Sequence, residues 1–306
     1  MSTWQALQEA QRRLDQRRAT GVAGTRRHRA IAVASPKGGV GKTTLVANLA
    51  AYLRALREDL PLLVLGLDGQ DALDRTLAIE GPVGALPSVE ALCERTVQEL
   101  AQLGQFGVRY VRSPRSRESL AQALGEAGAL ARWLAAGVEG GLVLMDTGSD
   151  LGLPTRAALA ASDLVIVPVR DLGSLREGIK IRDLAPAPER VRFALFGLDL
   201  RIKFDAAERP DVLAALLAEL SKERAEHFAT FVSRSATVEA LATTPERRPR
   251  VVLHGAPASV VHRQLRSLAG EVLEALDAHE PIAPPAPSVA VRDGLRSLAQ
   301  WVTSAP

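Results

Sequence analysis

One cysteine, Cys93, stands in the 306 residues of the chain. It excludes an intrachain disulfide and any cysteine-rich zinc site. The five histidines are scattered, so no histidine metal cluster is expected. No apolar run approaches the roughly 18 residues that a membrane-spanning helix needs. The opening stretch MSTWQALQEAQRRLDQRR contains no apolar segment of the secretory kind, so a signal peptide is not expected. A reducing, cytoplasmic setting fits these absences. No internal repeat is apparent. Hydrophobic residues make up 47% of the chain, ample for a core, and the length allows one large α/β domain or two small ones.

Net positive charge is also confined to one place. Residues 1–30 hold seven arginines (Arg12, Arg13, Arg17, Arg18, Arg26, Arg27 and Arg29) against Glu9 and Asp15, a net +5, while the rest of the chain is slightly acidic. The basic character therefore belongs to the leader. Trp4, Leu7 and Leu14 recur at helical spacing, so a short amphipathic helix is expected there, followed by the flexible ATGVAGTRRHR. Such an arm can attract nucleic acid or an acidic membrane surface, or it can be a solvated extension whose apolar stripe docks on its own domain.

What the chain does have is concentrated between Ile31 and Leu49, IAVASPKGGVGKTTLVANL. The apolar run from Ile31 to Ala34 leads into a glycine-rich turn. The turn leads into a helical pattern with Leu45, Val46, Leu49 and Ala50 on one side. Strand, glycine-rich loop and helix in that order are the context of a phosphate-binding P-loop. Gly38, Gly39 and Gly41 let the backbone curl so that successive N–H groups point at phosphate oxygens. The helix start near Lys42 adds its partial positive charge. Lys42 reaches the phosphates in such a loop, and the Thr43 hydroxyl is placed for Mg²⁺.

Pro36 stands where the general P-loop pattern has its first glycine, and a second lysine, Lys37, opens the loop. KGGVGKTT with this extra lysine resembles the deviant Walker A box of the ParA/MinD family of ATPases. The resemblance implies ATP and Mg²⁺ as ligands, with Lys37, Gly38, Gly39, Val40, Gly41, Lys42, Thr43 and Thr44 holding the nucleotide. It also implies that Lys37 reaches across an ATP-dependent homodimer to the partner's nucleotide.

The apolar run from Leu62 to Leu67 is expected to be a strand buried on both faces, with Asp68, Gly69 and Gln70 after it. The family's strand usually ends in Asp-x-Asp-Pro-Gln. Asp68 matches the second aspartate, linked to positioning the attacking water, and Gln70 the glutamine; Gly66 and Gly69 replace the first aspartate and the proline. The strand Leu142 to Met145 ends in Asp146, the Walker B position that holds Mg²⁺ through water. The family follows this aspartate with Thr-Pro-Pro; Thr147 matches, and Gly148 and Ser149 do not. Between these strands a helix is expected from Pro87 to Leu103, a short strand over Val108 to Val111 and a helical stretch from Arg117 to about Ala136.

Further strands are expected at Leu164 to Val169 and Arg190 to Leu200, with Phe196 where relatives often carry a polar residue for adenine. Asp199 and Arg201 match the family's Asp-x-Arg. Arg234 matches the arginine of a late loop, with Ser233 in place of its proline. A helix from about Ser259 to Leu276 closes the domain. The tail begins with a proline-rich linker, HEPIAPPAPS. It then places Val291, Leu295, Leu298 and Val302 on one face of an amphipathic helix. That helix carries only two arginines and a weakening Gly294, so docking on a protein surface is expected rather than membrane binding.

The expected fold is α/β, a doubly wound, mostly parallel sheet flanked by helices in the manner of a P-loop NTPase. Residues 29–277 form the ATPase domain, 1–28 a basic N-terminal extension, and 278–306 the linker and C-terminal helix. The resemblance implies a slow, partner-stimulated ATPase with Lys37, Lys42 and Asp68 in catalysis and Thr43 and Asp146 at the metal. It implies a dimer that binds DNA non-specifically through Arg201 and Arg234 and positions plasmid, chromosome or other cargo with a ParB-like or other activating partner, the protein then being associated with the nucleoid. Those arginines could instead serve internal salt bridges. An accessory ATPase of an envelope machine, like the BcsQ proteins of cellulose secretion, and a nucleotide-gated scaffold with little hydrolysis remain alternatives.

Overall fold

The computed structural model describes residues 28–78, 87–199, 211–243 and 251–278. The leader, Arg201, the proline-rich linker and the tail helix lie outside these residues. The strands are β1 (His28–Val33), β2 (Leu62–Gly66), β3 (Gln102–Leu103), β4 (Arg109–Val111), β5 (Gly141–Asp146), β6 (Leu164–Val169), β7 (Val191–Leu198) and β8 (Val232–Ser233). They form an eight-stranded sheet in the order β3-β4-β2-β5-β1-β6-β7-β8. Only the β3–β4 pair is antiparallel.

Alternation along the central strands supplies a core on each face of the sheet. Ile31 and Val33 of β1, Val64 of β2 and Leu144 of β5 face one way, where they meet Leu45, Leu49 and Leu53 of α1 (Lys42–Leu56). Ala30, Ala32, Leu65 and Met145 face the other way, toward Leu120 and Trp133. β6 and β7 divide likewise, with Val167 and Phe193 in a third cluster with Leu175 and Leu216. The remaining helices are α2 (Ala72–Leu77), α3 (Val97–Leu100), α4 (Arg117–Leu124), α5 (Ala129–Gly137), α6 (Leu153–Ala161), α7 (Leu172–Leu184), α8 (Val212–Lys222), α9 (Ala236–Thr243), α10 (Val252–Gly255) and α11 (Val260–Asp277).

Two expected helices are broken. Over Pro87 to Leu103, Ser88 bridges Arg112 beside the sheet, a 3₁₀ turn covers Val89–Cys93, and α3 starts separately. The cause is a capping box in which Thr96 accepts from the Glu99 backbone N–H while the Glu99 carboxylate takes the Thr96 N–H. The stretch from Arg117 to Ala136 is two helices, because Gly125 adopts φ +66° at the end of α4.

Strand order reverses around β1. The chain leaves it for β2 on one side, and after β5 it passes to β6 on the other. The carboxyl ends of β2, β5, β1 and β6 therefore open onto one crevice, the position at which sheets of this kind bind ligands.

Candidate functional site

The loop after β1 forms the floor of that crevice. Gly39 and Gly41 have φ of +73° and +92°, where a side chain would be strained. Gly41 is also packed from below: a Cβ there would lie 2.8 Å from the ring of Phe196. Phe196 is thus a buried support of the loop. Lys42 opens α1, is buried, and donates to the Ser35 carbonyl at 3.0 Å and to Ser149 Oγ at 2.8 Å. Burial lowers its pKa, and the carboxylates of Asp146 and Asp68 oppose that shift. A cation held this way is ready to exchange two neutral acceptors for phosphate oxygens.

Asp146 ends β5, level with Val33 of β1 and Gly66 of β2. Burial pushes its carboxyl up to about 7, against a hydrogen bond from Thr43 and the charge of Lys42. Its Oδ1 is buried without a hydrogen-bond partner. A carboxylate oxygen left bare beside the Thr43 hydroxyl fits a hydrated divalent cation, which would neutralise the charge that burial disfavours. Among the described residues there is no cluster of three or more His, Cys, Asp or Glu able to hold a metal by themselves. The site accordingly suits a cation shared with phosphate oxygens and water.

Asp68 follows β2 on the same rim. Its Oδ1 lies 3.2 Å from Arg117 Nε, an ion pair without hydrogen-bond geometry. The other side of the Arg117 guanidinium donates to Asp150. Lys37 is half-exposed and donates to both oxygens of its own chain's Asp171, at 2.8 and 2.9 Å. Arg170 Nη1 donates to the Gly39 carbonyl at 3.1 Å, tying the loop to the end of β6. Asp171 also caps α7 through the Ser174 N–H. The structure thus gathers Lys37, Lys42, Thr43, Asp68 and Asp146 at one crevice, with Gly38, Gly39, Val40, Gly41 and Thr44 in the loop and first turn of α1. Arg234 sits at the far side of β7, engaged by Asp199 at 3.6 Å and by Glu239 at 2.7 Å.

Arg117, Ser149, Asp150, Arg170 and Asp171 carry no signal in the sequence that ties them to the site. Each arrives from a loop or, for Arg117, a helix start whose course depends on packing. Ser149 stood out only as a departure from a motif, and the structure gives it a task as the resting partner of Lys42.

A glycine loop with two positive-φ residues, a buried lysine at a helix start and a bare carboxylate at a neighbouring strand tip define a P-loop phosphate-binding site. The model of the CobQ/CobB/MinD/ParA nucleotide-binding domain matches residues 31–236, and the chain belongs to this family. No curated protein matches it by sequence. Among solved structures, a complex of McdA from Cyanothece with ATP superposes with a TM-score of 0.64 at 16% identity, covering 82% of this chain and 97% of that one. MinD from Pyrococcus horikoshii with Mg-ADP gives 0.61 at 17%, covering 80% and 96%. Cobyrinic acid a,c-diamide synthase from Mycobacterium smegmatis, with an ATP analogue and magnesium, gives 0.59 at 20%, covering 85% and 100%. These likenesses establish the shared fold.

Proposed function

We propose that the protein is a Mg²⁺-dependent ATPase that dimerises when ATP is bound and positions a cargo, using DNA as its track. The observation that carries this reading is the convergence of Lys42, Thr43, Asp68 and Asp146 on the P-loop, with Lys37 half-exposed at its mouth. Bound Mg²⁺ would offset the negative charge of the β- and γ-phosphates. Lys42 holds those phosphates, Thr43 and Asp146 hold the cation's shell, and Asp68 orients the attacking water. Lys37 reaches the partner's phosphates and stabilises charge there in trans. Neighbours described as ATP-bound McdA, Mg-ADP-bound MinD and an AMPPNP-bound putative plasmid partition protein support the nucleotide and the positioning role.

The DNA contacts are assigned to the leader arginines, Arg201 and Arg234. Arg234 would first have to leave Asp199 and Glu239, so the leader is expected to supply most of the affinity. The test joins two assays. ATP hydrolysis should be lost in Lys42→Ala and in Asp68→Ala, the second still binding ATP. Full-length protein should retain DNA at low salt only with ATP. Hydrolysis at the parent rate by Asp68→Ala would remove the water-positioning assignment. Absence of DNA binding with ATP would replace the DNA-track reading with that of an accessory ATPase of an envelope machine.

A further inference from the structure

We propose that Arg117 is a cation of the nucleotide site supplied by the same chain, seated to read the terminal phosphate of ATP, and that the segment 113–117 is built into the site to place it. The inference rests on the nucleotide reading above and adds a residue and a specificity to it.

The space for this segment is made by glycines. A Cβ at Gly66 would lie 2.1 Å from Ser113 Oγ, and one at Gly69 would lie 3.0 Å from the Cα of Ser116. A Cβ at Gly148 would lie 2.9 Å from the Cδ of Arg117 itself. These are three of the four positions at which the sequence departs from the family's Asp-x-Asp-Pro-Gln and Asp-Thr-Pro-Pro patterns, the fourth being Ser149. Those three departures share one neighbour, the segment 113–117.

The segment is pinned at both ends. Asp74 accepts from the Ser113 N–H and hydroxyl at 3.1 to 3.2 Å in a buried setting. At the other end, Ser116 accepts the Ser119 N–H and begins α4 with Arg117 as its first residue. Glu90 holds the approach by accepting the Arg115 N–H at 2.8 Å and the Ser119 hydroxyl. The stem of Arg117 then crosses Gly148 and brings its guanidinium between Asp68 and Asp150.

That guanidinium is under-used where it lies. Nη1 donates to Asp150, Nε meets Asp68 outside hydrogen-bond geometry, and the side chain keeps 38% of its surface exposed, so part of the fork faces solvent. A planar fork with spare donors suits phosphate oxygens. Its charge is already felt at Lys42, whose pKa is lowered first by burial and further by Arg117. ADP leaves the outermost part of the site without a phosphate; ATP fills it and offers Arg117 a stronger partner than Asp68. The exchange also frees the Asp68 carboxylate for water.

The experiment measures binding of a non-hydrolysable ATP analogue and of ADP, with Mg²⁺, to the full chain by fluorescence titration. Arg117→Ala should weaken the ATP analogue about tenfold or more while ADP changes less than about threefold. Arg117→Lys should recover part of the difference. Asp150→Asn keeps Arg117 and removes its resting partner, so its preference for the ATP analogue should rise above that of the parent. Equal weakening of both nucleotides in Arg117→Ala, or an unchanged preference in Asp150→Asn, would overturn the proposal while leaving the nucleotide site intact. Failure of the unmodified protein to bind either nucleotide would overturn the nucleotide reading and this one with it.

Discussion

Adding one methyl group at position 66 tests the packing that seats Arg117. Gly66 is buried at the end of β2, and a Cβ there would approach Ser113 Oγ to 2.1 Å, its Cβ to 3.1 Å and its Cα to 3.4 Å. Ser113 cannot step aside freely, because its N–H and hydroxyl serve the buried Asp74 carboxylate. Gly66→Ala should cost about 1–3 kcal/mol for overpacking, and about 1 kcal/mol more if the Ser113–Asp74 bond is lost. For a domain of this size each kcal/mol lowers the melting midpoint by roughly 2–4 °C. Ser113→Gly removes the clashing Oγ and Cβ but keeps the backbone N–H for Asp74, at a cost of about 1–2 kcal/mol. In the double variant the nearest atom of position 113 to the new methyl group is its Cα, at 3.4 Å, which is ordinary van der Waals distance. It should therefore be more stable than the sum of the single effects by about 1–3 kcal/mol. Urea unfolding of the four proteins, with unchanged denaturant slopes, measures that coupling. Additivity within about 0.5 kcal/mol would refute the reasoning.

Two further outcomes are expected. Burial raises the pKa of Asp74 against the hydrogen bonds from Ser113 and the charge of Arg112, so the folded state holds its proton more tightly than the unfolded state. This group then costs stability as pH rises from the ordinary carboxylate value through the folded one. Asp74→Asn should gain stability relative to the parent as pH rises above the ordinary carboxylate value, and urea midpoints that stay parallel through that rise would count against it. Asp171→Asn should still cap α7 while loosening Lys37, so light scattering with an ATP analogue should show more dimer at equal concentration. An unchanged or smaller dimer fraction would mean that the Lys37–Asp171 pair does not hold the lysine back.

Features written in contiguous residues were legible in the sequence. The P-loop spans eight residues, α1 runs from Lys42 to Leu56 as its apolar periodicity indicates, and β6 coincides with the run Leu164–Val169. Asp68 and Asp146 were visible because one closely follows, and the other ends, a strand buried on both faces. What lay hidden depends on contacts between distant parts of the chain. Arg117 is 49 residues from Asp68 and 33 from Asp150, and no local pattern joins them. The misread helix over Pro87 to Leu103 has a local cause: the Thr96–Glu99 capping box marks a helix start that apolar spacing alone passed over.

The departures from the family motif change meaning once their neighbours are known. Taken singly, Gly66 in place of an aspartate suggests a weakened metal site, and Gly148 and Ser149 suggest a loosened loop. In the folded chain Ser113 occupies the room at Gly66, the stem of Arg117 occupies that at Gly148, and Ser149 gives Lys42 a hydroxyl to hold. A carboxylate at position 66 would bring a second negative charge beside the buried Asp74–Ser113 pair, where Ser113 leaves it no space. Gly66 makes room for Ser113 at one end of the segment, and Arg117 at its other end brings a basic side chain to Asp68. Loss of hydrolysis does not follow from Gly66, because Asp68, Asp146 and Thr43 keep their places while the charge around them is redistributed.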